Sequence, residues 1–462
     1  MVRIPNYFFS TDTDKQTLHR RITPSQEQRD NQTVRWNDLC EFLKTNLAEK
    51  TNYQIKSWIQ GSYKFGTQTR PINKKDEFDI DLGLYFLWDG DSNEGDFSAK
   101  ELKNCIQEEL LNFSNESDDV VEVLDPPKER CSRIKFKDCF HIDVPSYHLD
   151  EKTDKRELAT ESNIWEDSDP KAFYLWFRDK FADEDNNQIR RLIRYFKILS
   201  RLHLKNPPSS VLLTVLVSEV YESCTNNEVD GDDFAIKSIA EKILSRLKES
   251  SEVKNPVNND ENLNRLSDED FSTFLEVLKK IIGIADKAID SDSETSTSII
   301  WGKVFYHFFS ITDSSNNSGG EKSLVPMKFV PEVSIVVDST KEGTHFHKVG
   351  HNEIRSIPKD CSIQFSLTNY NQLPVGSKIS WIVRNEGVEA EYKNDLGHIA
   401  TLKDKPFISR EEHSGYVGTH YMDVSITSAI GEIIGFRRIL VEISGQYVPP
   451  RNKPRNFHGP RR

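Results

Sequence analysis

The sequence predicts an α+β domain completed by a helical second lobe and followed by an all-β domain. Three observations support this prediction. In the first third of the 462 residues, short segments of alternating polarity are interspersed with amphipathic segments. From about residue 170 the apolar side chains recur at helix spacing. After residue 329 the chain again alternates in short segments, which are separated by Gly, Asn and Pro.

The first part of the chain is expected to form one sheet with two helices. Apolar residues recur every three or four positions at 33–49 and 98–113, which predicts a helix over each range. The last two strand segments are so close in sequence that they predict a hairpin. Strands are expected at residues 54–60, 78–86, 133–137 and 139–147.

The rest of the chain divides by composition. A stretch rich in Ser, Asn and Gly separates the helical part from the later strands and predicts a flexible linker. The later strands predict a β-sandwich, which we expect to be immunoglobulin-like. The predicted domains are 1–165 for the α+β core, 166–310 for the helical lobe, 311–328 for the linker, 329–446 for the sandwich and 447–462 for a basic disordered tail.

Composition excludes several classes of protein. No window approaches 18 consecutive apolar residues, so no membrane span and no membrane partner are expected. The six cysteines are scattered without a CxxC pair, which argues against a zinc site or a disulfide framework and favours the cytoplasm. A net charge of −13 argues against a surface that wraps nucleic acid as a whole.

The most informative stretch is "QGSYKFGTQTRPINKKDEFDIDLGLYF" at residues 60–86. In "FDIDLGLYF" the apolar residues alternate with polar ones, so Asp79 and Asp81 share one face of a strand. Carboxylates at i and i+2 lie about 6.5–7 Å apart along a strand and can lean together to hold divalent cations. A third carboxylate, Asp143 in "HIDVP", is expected on a neighbouring strand.

A Gly-Ser pair precedes this strand. Gly61 would let a phosphate approach the backbone, and Ser62 would offer both an N–H and a hydroxyl group. Two aspartates on a strand are often only solvent-facing residues. Together with the Gly-Ser turn and Asp143, however, they favour phosphate chemistry.

These residues resemble the motif of polymerase-β-like nucleotidyltransferases. "GSYKFGTQTRP", "DEFDIDLGLYF" and "HIDVP" are most similar to the cGAS/DncV-like enzymes, which make cyclic oligonucleotide second messengers in bacterial anti-phage defence of the CBASS type. The later strands resemble the adenylyl/guanylyl and SMODS C-terminal sensor domain. The resemblance implies a polymerase-β-like core over roughly residues 30–310 and a sensor over 329–446.

The resemblance also implies roles for individual residues. Gly61 and Ser62 would bind the β- and γ-phosphates, and Asp79, Asp81 and Asp143 would hold two Mg²⁺ or Mn²⁺ ions and carry the chemistry. A family lysine that contacts the triphosphate corresponds to Lys197. Either Ser209 or Ser210 would assist it.

Lys197 belongs to a basic stripe on one predicted helix face, together with Arg190, Arg194 and Arg201. This stripe is either a solvated helix face or one wall of the nucleotide cleft. The sequence alone does not decide between these two interpretations.

The resemblance therefore implies a metal-dependent nucleotidyltransferase that makes a cyclic oligonucleotide from nucleoside triphosphates, with ATP among them. The resemblance further implies an activating ligand at the C-terminal domain and an effector that receives the product. Two alternatives stay open. One is a transferase that adds nucleotides to RNA or to a small-molecule hydroxyl, and the other is a nucleotide- or RNA-binding sensor without turnover.

Overall fold

The chain divides into two compact units, residues 1–312 and 313–462, in the computed structural model. The predicted linker lies almost wholly outside the described residues, and the predicted basic tail lies wholly outside them. The boundary predicted between the α+β core and the helical lobe stays a prediction. The structure describes residues 2–13, 15–182, 187–311, 328–340, 345–400 and 407–445.

The first unit combines one large sheet with a helical second half, as the apolar patterns predict. Its helices are α1 (Pro5–Phe8), α2 (Leu18–Ile22), α3 (Gln26–Thr51), α4 (Gly61–Lys64), α5 (Ala99–Glu116), α6 (Pro170–Lys180), α7 (Gln188–His203), α8 (Ser210–Glu222), α9 (Asp232–Glu249), α10 (Asp268–Ile289) and α11 (Glu294–Phe305). Its strands are β1 (Gln54–Gln60), β2 (Phe78–Leu87), β3 (Val120–Val123), β4 (Ser132–Phe136), β5 (Phe140–Val144), β6 (Ser146–Asp150), β7 (Lys155–Ala159), β8 (Trp165–Asp167), β9 (Lys254–Asn255) and β10 (Asn258–Asn262).

Capping residues set where the long helices begin. Helix α3 starts at Gln26, well before the predicted residue 33, because Ser25 and Gln28 form a reciprocal capping box in a polar stretch without apolar periodicity. Helix α5 starts in the same way from Ser98. Apolar periodicity therefore located the buried turns of α3 but not its polar first turns.

Strand β2, which carries Asp79 and Asp81, lies in the middle of the sheet. The sheet order is β3-β4-β5-β2-β6-β7-β8, and β1 also pairs with β2 in an antiparallel manner. Strands β5 and β6 follow each other along β2 and pair with it in parallel. Apolar side chains on one face of β2 pack against α3 and α5 in the main core, so Asp79 and Asp81 lie on the opposite face.

The N-terminal segment lies against the helical half rather than the sheet, which the sequence pattern did not indicate. Phe8 is fully buried and its ring packs edge-on against Tyr195 and Trp301. Tyr195 donates a hydrogen bond to the carbonyl of Phe8 at 3.1 Å, and the Arg21 guanidinium donates to the carbonyl of His307 at 2.9 Å. Phe8 thus packs against α7, the helix that carries the basic stripe.

The second unit is a two-sheet β structure, which confirms the predicted sandwich. One sheet has the order β12-β11-β14-β17, the other β13-β19-β18-β15-β16, and both contribute to a single core that includes Val333, Trp381 and Val424. The immunoglobulin-like detail stays a prediction. Its elements are β11 (Val333–Ser339), β12 (His347–His351), β13 (Glu353–Ile357), β14 (Cys361–Leu367), β15 (Lys378–Asn385), β16 (Gly397–Ala400), β17 (Ser409–His413), β18 (Gly418–Thr427), β19 (Ile433–Ile443) and α12 (Val388–Tyr392).

None of the helices in the described ranges has both the length and the apolar character needed to cross a lipid bilayer.

Candidate active site

Four polar side chains, which we call the carboxylate array, form two neighbouring pairs on the polar face of the central strands. In the parallel register of β2 and β5, Asp79 lies beside His141 and Asp81 lies beside Asp143. Alternation along each strand turns all four residues to the same face. The structure therefore brings together the three predicted carboxylates, and it adds a histidine to them.

The histidine lies between two carboxylates. His141 is 7% exposed; its Nε2 lies 2.8 Å from Asp79 Oδ1, and its Nδ1 lies 2.9 Å from Glu77 Oε2. Asp79 itself is exposed, and its main-chain carbonyl accepts a hydrogen bond from Gln68 at 3.0 Å. These contacts fix one side of the array and tie β2 to the segment that follows the Gly-Ser turn.

Asp143 is buried and is held by cations. The Arg133 guanidinium donates to both carboxylate oxygens, at 2.5 and 2.8 Å, and Lys128 Nζ lies 3.3 Å away. Burial alone would raise the pKa of Asp143, but the hydrogen bonds and charge of Arg133, with the charge of Lys128, lower it. Asp143 is therefore an ionised carboxylate, which is the form that binds a metal ion.

Asp81 lies against the Gly-Ser turn. A Cβ atom built on Gly61 would stand 1.9 Å from Asp81 Oδ2, and Gly61 has a φ of +58°, so only glycine fits here. Burial, together with the charges of Asp79 and Asp143, raises the pKa of Asp81 to about 8. A divalent ion would relieve this repulsion, since its charge favours the ionised carboxylate.

This donor set suits a divalent metal ion. Asp79, His141 and Asp143 each offer one ligand atom, and these atoms all lie within 4.8 Å of one another. Carboxylate oxygens are the usual ligands of Mg²⁺ and Mn²⁺. The number and identity of the ions stay predictions.

Buried Gln60, the residue before the Gly-Ser turn, is fixed by two side-chain hydrogen bonds. Gln60 Nε2 donates to Tyr85 Oη at 2.9 Å, and Tyr147 Oη donates to Gln60 Oε1 at 3.2 Å. The amide needs the space over Gly83, where a Cβ atom would come within 2.0 Å of Gln60 Nε2. Gly83 in "FDIDLGLYF" thus serves the packing of the residue that precedes the Gly-Ser pair.

The basic stripe on α7 contacts residues 65–69, the segment after the turn, through carbonyl and hydroxyl groups. Arg190 Nε donates to the carbonyl of Phe65 at 3.1 Å, and Arg194 Nε donates to the carbonyl of Gln68 at 3.2 Å. Lys197 Nζ donates to Thr67 Oγ1 at 3.1 Å, while Arg201 contacts Thr69 Oγ1 at 3.4 Å and stays exposed. The interpretation as a solvated helix face is wrong for Lys197, which is 3% exposed.

Lys197 is a buried cation beside the carboxylate array. Burial and the charges of Arg201 and Arg194 lower its pKa to about 7, while the charges of Asp79 and Asp81 act in the opposite direction. Within the part of the chain that the structure describes, no stripe residue forms an ion pair with a carboxylate at 4.0 Å or less. Among the described residues, the direct partners of the stripe are therefore uncharged acceptors and an aromatic ring, and they include His19 Nε2, which lies 3.1 Å from Arg194.

The predicted serines differ in position. Ser62 lies in α4 directly after Gly61, and its carbonyl accepts a hydrogen bond from the amide of Thr67 at 2.9 Å. Ser209 caps α8, where its hydroxyl accepts from the Leu212 amide at 3.2 Å, and Ser210 is the first residue of that helix. Among contacts between described residues, neither Ser209 nor Ser210 touches the carboxylate array, so their roles stay predictions.

Four residues of the site were not found from the sequence. The position of His141 could have been predicted, since it lies two residues before Asp143 on the same strand and must share its face. Arg133 is the hairpin partner of Asp143, and this is visible only once the register is known. Glu77 and Lys128 lie in a loop or next to one, where alternation gives no guide.

Comparison with known proteins identifies two regions. Residues 55–147 match the family model for the nucleotidyltransferase domain of cyclic GMP-AMP synthase DncV-like proteins. Residues 316–444 match the model for the adenylyl/guanylyl and SMODS C-terminal sensor domain. Both of the predicted resemblances are confirmed, and the first model covers every residue of the carboxylate array.

One relative matches nearly the whole chain. The cyclic GMP-AMP synthase of Escherichia albertii is 30% identical over 438 residues, which cover 94% of this chain and 95% of that protein. This match spans both units, so the two domains occur together in the relative as they do here.

Two solved structures share the fold. Escherichia coli DncV in its 3′-deoxy GTP bound form has a TM-score of 0.56 at 21% identity, covering 65% of this chain and 96% of that one. Vibrio cholerae DncV with the linear intermediate pppA(3′,5′)pG has a TM-score of 0.56 at 18% identity, covering 67% and 96%. At these identities the likeness shows the fold alone.

Proposed function

The chain belongs to the family of DncV-like nucleotidyltransferases with a C-terminal sensor domain, and we propose that it joins nucleoside triphosphates into a cyclic dinucleotide with release of pyrophosphate. One observation carries the proposal. The carboxylate array, Gly61–Ser62 and the buried Lys197 form one continuous site, joined through the segment of residues 65–69. A triphosphate is the ligand that fits between metal-binding carboxylates and cations without carboxylate partners.

Each residue has a role that follows from its position. Gly61 and Ser62 offer backbone amides to the β- and γ-phosphates, and the charge of Lys197 stabilises the negative charge of the leaving pyrophosphate. Asp143, ionised and held by Arg133, orients the attacking ribose hydroxyl. Divalent ions held by Asp79, Asp81 and Asp143 would lower the pKa of that hydroxyl and neutralise charge on the phosphates.

The similar proteins support ATP and GTP as substrates and a cyclic dinucleotide as product. The Escherichia albertii relative is named for cyclic GMP-AMP, and the Vibrio cholerae structure holds a linear intermediate made of one adenosine and one guanosine unit. In the proposed sequence, a first transfer gives a linear dinucleotide triphosphate and a second transfer within the same site closes the ring.

The second unit supports a regulated enzyme. Its match to a sensor domain supports an activating ligand at the sandwich, and membership of the family supports a second messenger that acts on a downstream effector in bacterial anti-phage defence of the CBASS type. The cytoplasm, where nucleoside triphosphates are abundant, is the proposed location.

The test is product analysis. The full chain is incubated with all four triphosphates and Mg²⁺ or Mn²⁺, and the products are treated with phosphatase and identified by mass spectrometry. We expect a phosphatase-resistant cyclic dinucleotide. Extension of an added RNA without any product from free triphosphates would contradict the proposal.

A variant separates turnover from binding. Asp79→Ala combined with Asp81→Ala is expected to abolish pyrophosphate release while the thermal unfolding transition is retained. Equal release by the variant would show that the carboxylate array is not the active site.

A further inference from the structure

Because the parallel register of β2 and β5 places His141 beside Asp79, an imidazole nitrogen lies among the predicted oxygen ligands. We propose that His141 is itself a metal ligand and that Glu77 orients its ring, so that the site favours Mn²⁺ over Mg²⁺. The proposal concerns the metal used by the proposed active site and rests on that function.

The first argument is geometric. His141 Nε2 lies 2.8 Å from Asp79 Oδ1, and both atoms lie within 4.8 Å of a carboxylate oxygen of Asp143. Atoms bound to one ion at about 2.0–2.2 Å can be at most about 4.4 Å apart, so the three side chains need only small movements to share an ion. The ring is almost fully buried and cannot turn away into solvent.

The second argument is the contact behind the ring. His141 Nδ1 lies 2.9 Å from Glu77 Oε2. A metal-binding histidine usually donates its other ring N–H to a carboxylate or carbonyl, which fixes the ring and leaves the opposite nitrogen for the ion. Glu77 occupies that position, and it makes Nε2 the nitrogen that faces Asp79 and Asp143.

The third argument is the chemistry of the donor set. Mg²⁺ prefers oxygen ligands and retains its water, whereas imidazole nitrogen binds transition-metal ions more readily. A site of two carboxylates and one imidazole therefore discriminates in favour of Mn²⁺. If His141 only braced Asp79, the three aspartates would bind both ions through oxygen alone.

Pulsed EPR of the full chain loaded with Mn²⁺, alone and with a non-hydrolysable GTP analogue, distinguishes these cases. We expect the ¹⁴N modulation of a coordinated imidazole, its loss in His141→Gln, and a rise of at least about tenfold in the Kd for Mn²⁺. Glu77→Gln should keep the modulation and weaken Mn²⁺ binding. His347→Gln removes an exposed imidazole that contacts Asp338 at 2.7 Å, and it should change nothing.

The proposal is overturned if the unchanged chain shows no ¹⁴N modulation in either sample, and failure to bind Mn²⁺ counts as such a result. It is also overturned if His141→Gln retains the modulation. If His141→Gln does not fold, the unchanged chain and Glu77→Gln still give the required spectra. A cyclic product without nitrogen coupling would contradict only the role of His141. Nitrogen coupling in a chain that extends an added RNA and makes no product from free triphosphates would contradict the proposed function and leave the metal ligand in place.

Discussion

The two sides of the candidate active site carry opposite charges. On the strands, Asp79 and Asp143 are each matched by internal cationic or imidazole groups, with Arg133 at 2.8 Å from Asp143 and His141 at 2.8 Å from Asp79. On α7, Lys197 and Arg194 contact neutral acceptors. The two carboxylates thus have direct cationic or imidazole partners, whereas Lys197 feels the charges of Asp79 and Asp81 only from a longer distance.

This difference indicates which kind of ligand would complement both sides. A buried cation without an anionic partner destabilises a fold, and it persists where a bound anion supplies the missing charge. Metal ions can bind the carboxylates, and phosphates bound to those ions can pair with the cations of α7. Neither ligand alone satisfies both sides, which points to a metal–triphosphate complex.

The largest effect on turnover is expected from removing a charge on the carboxylate side. Asp79→Asn should lower the rate of pyrophosphate release by at least about a thousandfold, because the amide keeps the shape but loses the charge that binds the metal. Glu49→Gln, an exposed change on α3, serves as the control and should leave the rate unchanged. Steady-state pyrophosphate release checks both, and comparable rates for Asp79→Asn and the unchanged chain would exclude a metal role for Asp79.

The next largest effect concerns the contact between the turn and Asp81. Gly61→Ala should lower turnover by about a hundredfold, since the new methyl group displaces the Asp81 carboxylate from its position. Gly431→Ala in the second unit is a matched control, because Gly431 also has a positive φ, of +85°, but an added Cβ atom would stand in open space. Both variants should lose about 1 kcal/mol of stability. Equal turnover in the two would contradict the proposed contact.

The third effect comes from removing charge on the α7 side. Lys197→Met should weaken triphosphate binding by about ten- to a hundredfold, since one hydrogen bond to a charged group is lost. The unliganded chain should not be destabilised near neutral pH, because the buried cation is removed. Calorimetric titration with a non-hydrolysable triphosphate and thermal unfolding measure the two quantities. Unchanged affinity would show that Lys197 binds only Thr67.

The smallest effect is the pH dependence of the metal-free chain. The pKa of Asp81 is about 8, above its ordinary 3.8, so the protonated carboxyl stabilises the folded state at low pH. This stability is lost as the pH rises from about 4 to about 8, and Asp81→Asn should lack the loss. Thermal unfolding in EDTA across that range gives the comparison. Parallel curves for the two chains would contradict the raised pKa.

The sequence predicts the carboxylate side better than the cationic side, for a physical reason. Asp79 and Asp81 lie on one strand, and a period of two residues is enough to place them on one face. Asp143 follows from the motif. His141 follows from the same alternation once Asp143 is assigned, although the pattern alone does not mark it as functional.

The cationic side depends on contacts that are distant in sequence. Lys197 contacts Thr67, which lies 130 positions away, and the helix period shows only that Lys197 shares a face with three arginines. The N-terminal segment is a similar case, because Phe8 packs on Tyr195 and nothing near Phe8 in the sequence indicates that helix. Tertiary packing decides both positions, so local patterns could not predict them.

A crystal structure of the full chain with Mn²⁺ and a non-hydrolysable triphosphate would test the central claim most directly. The account predicts metal density at Asp79, Asp81 and Asp143, with the β- and γ-phosphates between Gly61–Ser62 and Lys197. Phosphates bound elsewhere on the chain, or Lys197 still bound to Thr67 with no phosphate contact, would contradict it.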